Sequence, residues 1–436
     1  MRTRGEYVGV ADFGSRTIRV LIARSGADGI IEVMGCGAAP ADGCVSQGVI
    51  QDLKAAKTAL KEALMLAENE ARRHVSSLFC GVHGKNVETF IREGRVQAAD
   101  HRVTRRQMDE ARGNAERDIQ TPGTHIIASV TGEQWYVDDL PVAEPLGVRG
   151  QALKLRTHLA RIPAFIHENI ASCVEAQGRE LEDVVFLPLA SALGCLTPED
   201  MELGAAVLDM GRRTTSLAVV RDGQVLGTNC FEWGGYHLTC DVAAGLHVSF
   251  IEADELILEY GLSSEFLSAQ AEHEAEEDEE GGGLMYEEDG PPDEDALIEL
   301  KTALQGRPSA APRHQLDEIL YARAWEQMEW VRRYLHSTGL MKHLVRGVVL
   351  TGGASTIENQ QTLAESVLQV PCRIGYPRGL EIVPEEAQAP EYSAATGIVR
   401  HAFAFREAAR NGSVDSRGAI TSGVKRVWEG IREYFF

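Results

Sequence analysis

Gly204 to Val220 reads GAAVLDMGRRTTSLAVV. An apolar run ends in Asp209, and the polar turn Met210-Gly211-Arg212-Arg213-Thr214-Thr215 follows. A second run, Ser216 to Val220, leads through Arg221-Asp222-Gly223 into a third, Val225 to Phe231. Short apolar runs bounded by turn residues predict buried strands. The same order stands near the start of the chain: strand Tyr7 to Ala11, turn Asp12-Phe13-Gly14-Ser15, then strands Ile18 to Ala23 and Ile30 to Met34. Strand, Asp-x-Gly turn, strand thus occurs twice, about 200 residues apart. Repeated halves predict two similar α/β domains facing each other across a cleft.

A third element, GVVLTGGAS from Gly347 to Ser355, predicts a buried strand that breaks at Gly352-Gly353 and a helix from near Thr356. Glycines at such a turn let backbone amides approach a ligand at the positive end of a helix. In the first half, Asp52 is a helix N-cap, with Leu53, Ala56, Leu60, Leu64 and Ala67 on one face, and the strand Leu78 to Val82 follows. Residues 84–163 alternate on their own and read as an inserted small α+β subdomain. Helical periodicity resumes from Leu316 to Leu340.

Length and charge narrow the function. A chain of 436 residues forms two or more domains. The net charge of −22 is local: Glu272 to Asp295 holds thirteen Asp and Glu and no Lys or Arg, which leaves −9 elsewhere. That segment reads as a solvated loop, and no large basic surface for nucleic acid is implied. The eight cysteines form no CxxC pair and no zinc spacing, as expected of reduced core thiols. The start MRTRGEYVGVADFG runs straight into a strand pattern, and no apolar stretch reaches spanning length. The expectation is a cytosolic protein with at most a peripheral anchor.

Ile420, Val424, Val427, Trp428, Ile431 and Phe435 recur at helical spacing, with Lys425, Arg426, Glu429, Arg432 and Glu433 opposite. A polar break, Arg410 to Gly418, precedes them. The pattern alone fits a helix docked on protein or one lying in a membrane interface. Three bases against two acids and the terminal carboxylate leave apolar burial to dominate any lipid contact.

Two Asp-x-Gly hairpins and a strand-Gly-Gly turn resemble the phosphate and adenosine elements of the actin, Hsp70 and sugar-kinase superfamily. Within it the chain resembles FtsA, the actin-like bacterial cell division family. The stretches that carry the likeness are WYVDDLPVAEPLGVRG (135–150), LPLASALGCLTPEDMELGAAVLDMG (187–211), GGYHLTCDVAAGL (234–246) and ADELILEYG (253–261). The resemblance implies an α/β, actin-like two-lobed fold. Residues 1–83 and 164–197 would form one ribonuclease-H-like core, and 198–245 with 330–402 the second. Residues 84–163 and 246–329 (with the acidic loop 272–295) would be small subdomains, 403–419 a linker, and 420–436 a membrane-targeting amphipathic helix.

The resemblance also implies ATP and Mg²⁺ as cofactors. The nucleotide site would comprise Asp12, Gly14, Ser15, Arg16, Asp209, Gly211, Arg212, Arg213, Thr214, Gly234, Gly235, Gly352, Gly353 and Ala354, with Asp12 and Asp209 towards the metal. The site departs from the family pattern. Arg16 and Thr17 stand for Ser and Lys in the first loop, Arg212 and Arg213 for two glycines in the second, Tyr236 for an Asp, and Ile257 for the ribose-side Lys. Either the arginines supply the cation of the missing Lys, or they crowd a degenerate site. No catalytic residue is assigned.

The implied function is a scaffold that binds ATP, self-assembles into filaments and binds the C-terminal peptide of FtsZ and other division proteins. It would hold the FtsZ ring to membrane lipid at the division site, on the cytoplasmic face, with at most weak ATPase activity. A pilus-assembly actin homologue of the PilM type, or a sugar-kinase-like enzyme, is the alternative.

Overall fold

The first hairpin folds around its turn. Strand β1 (Glu6–Phe13) pairs antiparallel with β2 (Thr17–Ser25), and β2 with β3 (Ile31–Pro40). The structure, a computed structural model, describes residues 6–26, 29–41, 43–97, 102–128, 133–268, 270, 297–301 and 309–410. The expected stripe from Ile420 to Phe435 and the acidic stretch 272–295 lie outside the described residues.

Helix α1 (Leu53–Ala71) starts where Asp52 accepts hydrogen bonds from the amides of Lys54 and Ala55. Its face of Ala56, Leu60, Ala63, Leu64 and Ala67 is buried. The helix lies so close on β3 that a Cβ at Gly37 would come within 2.0 Å of the Ala63 carbonyl oxygen. Those glycines explain why β3 runs six residues past the expected end at Met34. Gly35 to Ala39 carries no branched residue to announce a strand, because helix backbone occupies the space above it.

Strand β4 (Ser77–Val82) joins β1 in parallel. Next come β5 (Glu88–Gln97), α2 (Arg105–Glu116), β6 (Thr124–Ala128), β7 (Gln134–Val137), β8 (Leu140–Val142) and β9 (Ala152–Pro163). The five strands form their own sheet, with β9 pairing β5, β6 and β7. Its core holds Met108, Trp135, Leu153 and Leu155. Helix α3 (Ala164–Glu175) returns the chain to β10 (Glu180–Phe186), parallel to β4. Helix α4 (Leu187–Cys195) is buried at every residue.

The second half repeats the first. Strands β11 (Ala205–Met210), β12 (Thr215–Arg221) and β13 (Gln224–Phe231) form an antiparallel meander. Helices α5 (Gly235–Leu246), α6 (Phe250–Tyr260) and α7 (Arg313–Ser337) follow. Strand β14 (Val348–Thr351) then joins β11 in parallel. After α8 (Gln360–Leu368) come β15 (Cys372–Ile374), β16 (Glu381–Ile382) and α9 (Ser393–Arg410).

The two main sheets read β10-β4-β1-β2-β3-β16 and β13-β12-β11-β14-β15. Each is a three-strand meander extended by parallel strands beyond its first member, and Asp12 and Asp209 fall next to last on those first strands. The helix expected near Thr356 begins instead at Gln360. Gly353–Thr356 is a 3₁₀ turn in which the Ser355 and Thr356 hydroxyls donate to the Gly352 and Gly353 carbonyls. Such local bonds compete with a regular helix.

Candidate functional site

The two Asp-bearing turns face one cavity of about 420 Å³, within the usual range for small-ligand sites. Both turns are tight. The Gly211 amide donates to the Thr214 carbonyl at 2.9 Å, and a Cβ at Gly14 would stand 2.7 Å from the Thr17 carbonyl oxygen. The lining includes Asp12, Gly14, Ser15 and Arg16 from the first turn and Asp209, Gly211, Arg212 and Thr214 from the second. Gly235, Gly352, Gly353 and Ala354 complete the expected set there. Gly352 has φ 81°, and a Cβ on it would lie 2.3 Å from Asp209 Oδ1, so only glycine fits.

Two expected residues stand back from the cavity. Arg213 lays its guanidinium 3.9 Å over the Tyr236 ring, a cation–π contact. Gly234 lies beneath the second turn, where a Cβ would meet the Gly211 carbonyl oxygen at 2.3 Å.

Arg212 lines the cavity with its charge already shared. It pairs with Asp254 at 2.7 Å and donates to Thr239 Oγ1 at 3.3 Å. Thr239 in turn donates to Asp254 at 2.5 Å. Arg16 is exposed at the cavity mouth and has no ion pair among the described residues.

Asp12 is buried and Asp209 half-buried, and the cations near them balance their charge only in part. Burial pushes the Asp12 carboxyl above the usual range, only partly opposed by the Arg19 guanidinium. Its Oδ1 has no hydrogen-bond partner among the described residues. Burial likewise raises Asp209, against the hydrogen bond from Ser191 Oγ at 2.5 Å, and the nearby Asp12 charge raises it further. An orphaned oxygen and two carboxylates held off their normal ionisation are what a divalent cation would correct. Among the described residues no cluster of three or more His, Cys, Asp or Glu could hold a metal. An ion here would therefore keep water or phosphate ligands, as Mg²⁺ commonly does. The residues present thus fit Mg²⁺ together with phosphate.

Arg19, His83, Ser191, Asp254 and Glu391 escaped the sequence reading. Arg19 pairs with Glu391 at 3.0 Å. It sits directly across the hairpin from Asp12, so the register of that hairpin could have found it. His83 lines the cavity, and burial lowers its pKa below the usual imidazole value, against the pull of Asp209. Ser191 and Asp254 lie in stretches that carried the family resemblance, without any local sign of a role. Glu391 arrives from a distant turn that nothing local marks.

Paired meanders with an Asp-lined cavity between them define an actin-like α/β fold, and solved structures agree. A chain of a PilM–PilN type IV pilus biogenesis complex aligns with TM-score 0.60 at 16% identity over 92% of this chain and 99% of its own. MreB5 of Spiroplasma citri, bound to AMPPNP, aligns with TM-score 0.54 at 14% identity over 94% and 100%. The family model "Cell division protein FtsA" matches residues 206–397. Cell division protein FtsA of Neisseria meningitidis serogroup B is 27% identical over 434 residues, 98% of this chain and 99% of the relative. FtsA of Escherichia coli K12 is 24% identical over 436 residues, 97% of each. The chain is thus similar to FtsA cell division proteins along nearly its whole length.

Proposed function

We propose that this protein is a nucleotide-binding, actin-like scaffold of bacterial cell division. It takes ATP with Mg²⁺, assembles with its own copies and binds the FtsZ C-terminal peptide. Through residues 420–436 it holds the division ring to lipid on the cytoplasmic face of the membrane. The observation that carries the nucleotide part is Asp12 and Asp209, the first buried and the second half-buried, both raised in pKa and facing one cavity, with Asp12 Oδ1 unpartnered among the described residues. Mg²⁺ supplies charge balance between these carboxylates and the phosphates when bound.

The remaining residues have separable roles. The amides at Gly14 and Gly353 are the proposed donors to phosphate oxygens, while those of Gly211 and Gly352 already donate to the Thr214 and Pro390 carbonyls and hold the turns. Arg16, exposed and with no ion pair among the described residues, provides a cation at the mouth. Arg212 gives up part of its bond to Asp254 when phosphate enters. Its side chain fills space that a glycine would leave open, so slow or absent hydrolysis is expected, and the protein acts as a scaffold rather than an enzyme.

The domain limits proposed are those read from the sequence, with the β5–β9 sheet inside residues 84–163 and α6 within 246–329, except that α7 crosses the limit at 329 and that β16 and α9 join the first sheet's core, which moves residues 381–410 to the first lobe. No described helix is long and apolar enough to cross a membrane, and lipid binding is assigned to Ile420, Val424, Val427, Trp428, Ile431 and Phe435. Vesicle co-sedimentation with Mg-ATP and an FtsZ C-terminal peptide tests the reading. The parent chain is expected to carry the peptide into the lipid pellet and Trp428→Glu to leave both in solution. Equal pelleting of the two would remove the anchor.

A further inference from the structure

The end of α9 fixes where the chain departs towards residues 420–436. Arg406 donates to the Tyr7 carbonyl at 2.7 Å, to Ser77 Oγ at 3.0 Å and to Glu182 at 2.6 Å. It thus binds together the starts of β1, β4 and β10 at one edge of the first sheet, one turn before the helix ends at Arg410. On the opposite face of the sheet α1 ends at that same edge. Arg72 caps α1 in the left-handed conformation, φ 49°, and the Arg73 guanidinium lies 4.9 Å over the ring of Tyr7.

Arg72, Arg73 and His74 are all exposed, and Met65 and Leu66, up to two turns back along α1, are 52% and 42% exposed. Carboxylates around them are committed elsewhere. Glu68 is bonded by His74, Arg179 and the Val75 amide, Glu182 and Glu6 pair with Arg406, and Glu70 accepts the Cys36 amide. Neither Arg72 nor Arg73 has an ion pair among the described residues. Glu62, Glu70 and Glu180 are exposed acids nearby.

We propose that Arg72, Arg73 and His74, with Met65 and Leu66, form a second membrane contact that takes anionic phospholipid headgroups. The proposal rests on the reading of 420–436 as a lipid anchor. That stretch has almost no net charge, and a chain of net charge −22 is repelled by an anionic leaflet. A basic rim at the edge where the chain departs supplies the attraction the stretch lacks and turns one edge of the molecule towards lipid. An acidic protein segment is the other chemistry a basic helix end attracts. The rim's place beside the end of α9, together with exposed Met65 and Leu66, favours lipid.

Co-sedimentation of the full chain decides it, on vesicles of phosphatidylcholine alone and of phosphatidylcholine with phosphatidylglycerol, at low and high salt. The variant is Arg72→Asn with Arg73→Glu, since asparagine tolerates the left-handed cap. Each arginine near an anionic surface is worth about fivefold in binding. The variant is therefore expected to lose roughly tenfold or more on phosphatidylglycerol vesicles at low salt. It should match the parent on neutral vesicles and in thermal unfolding. An undiminished phosphatidylglycerol gain in the variant overturns the rim while leaving the anchor intact, and an equal loss on both vesicles overturns it as well. If Trp428→Glu binds neutral vesicles like the parent, the anchor reading fails, and the rim as its adjunct fails with it.

Discussion

At the scale of single residues, the site trades stability for charge that the protein does not balance itself. Asp12 carries an unsatisfied buried oxygen, and a lone buried charge is costly. Asp12→Asn should therefore raise the ligand-free protein's stability by roughly 0.5–2 kcal/mol while abolishing any magnesium dependence of nucleotide binding. Denaturation curves and titrations on the same sample check both. Arg16→Ala should weaken ATP about tenfold, the order expected for a charge-assisted hydrogen bond, and leave adenosine unaffected in parallel titrations.

His158 offers a pH test away from the site. It sits on β9 and shares a 3.1 Å hydrogen bond with Thr228 of β13, and burial lowers its pKa from 6.5 to about 4. Between those values the unfolded chain binds a proton that the folded one refuses, so stability falls as pH falls. Denaturant midpoints should show a loss of about 2 kcal/mol from pH 7 to 5 that His158→Gln removes.

At the scale of elements, what the chain announced depended on whether burial left a periodic trace. β1, β2, β11 and β12 were legible because apolar runs break at Asp-x-Gly turns, and α1 because its buried face repeats at helical spacing. Helix α4 was not, since all nine of its residues are buried and no polar face marks a period. Its packing depends on small residues: a Cβ at Gly194 would stand 1.8 Å from the Ser393 carbonyl oxygen of α9, and one at Gly397 would stand 1.7 Å from the Ala190 carbonyl oxygen. Gly194→Ala should cost about 1–3 kcal/mol, measurable by chemical denaturation. Because α4 also carries Ser191, the variant should disturb Asp209 and weaken nucleotide binding beyond the loss of stability.

At the scale of the whole molecule, the duplicated meander was readable because both halves repeat one turn chemistry. The convergence of Arg19, His83 and Glu391 on the cavity was not, since it is made by sheet register and by a turn nearly 400 residues from the first strand. The second-loop arginines illustrate the same limit. Their identities suggested either a replacement cation or an obstruction. The fold splits them, with Arg212 on the cavity wall paired to Asp254 and Arg213 stacked on Tyr236. The central claim is that the cleft between the two sheets takes a metal–nucleotide pair despite these substitutions. Titration of the purified full chain with ATP, with and without Mg²⁺, tests it most directly. Saturable binding that tightens with magnesium and is lost in Asp12→Asn is the predicted result; no saturable binding in either condition would contradict it.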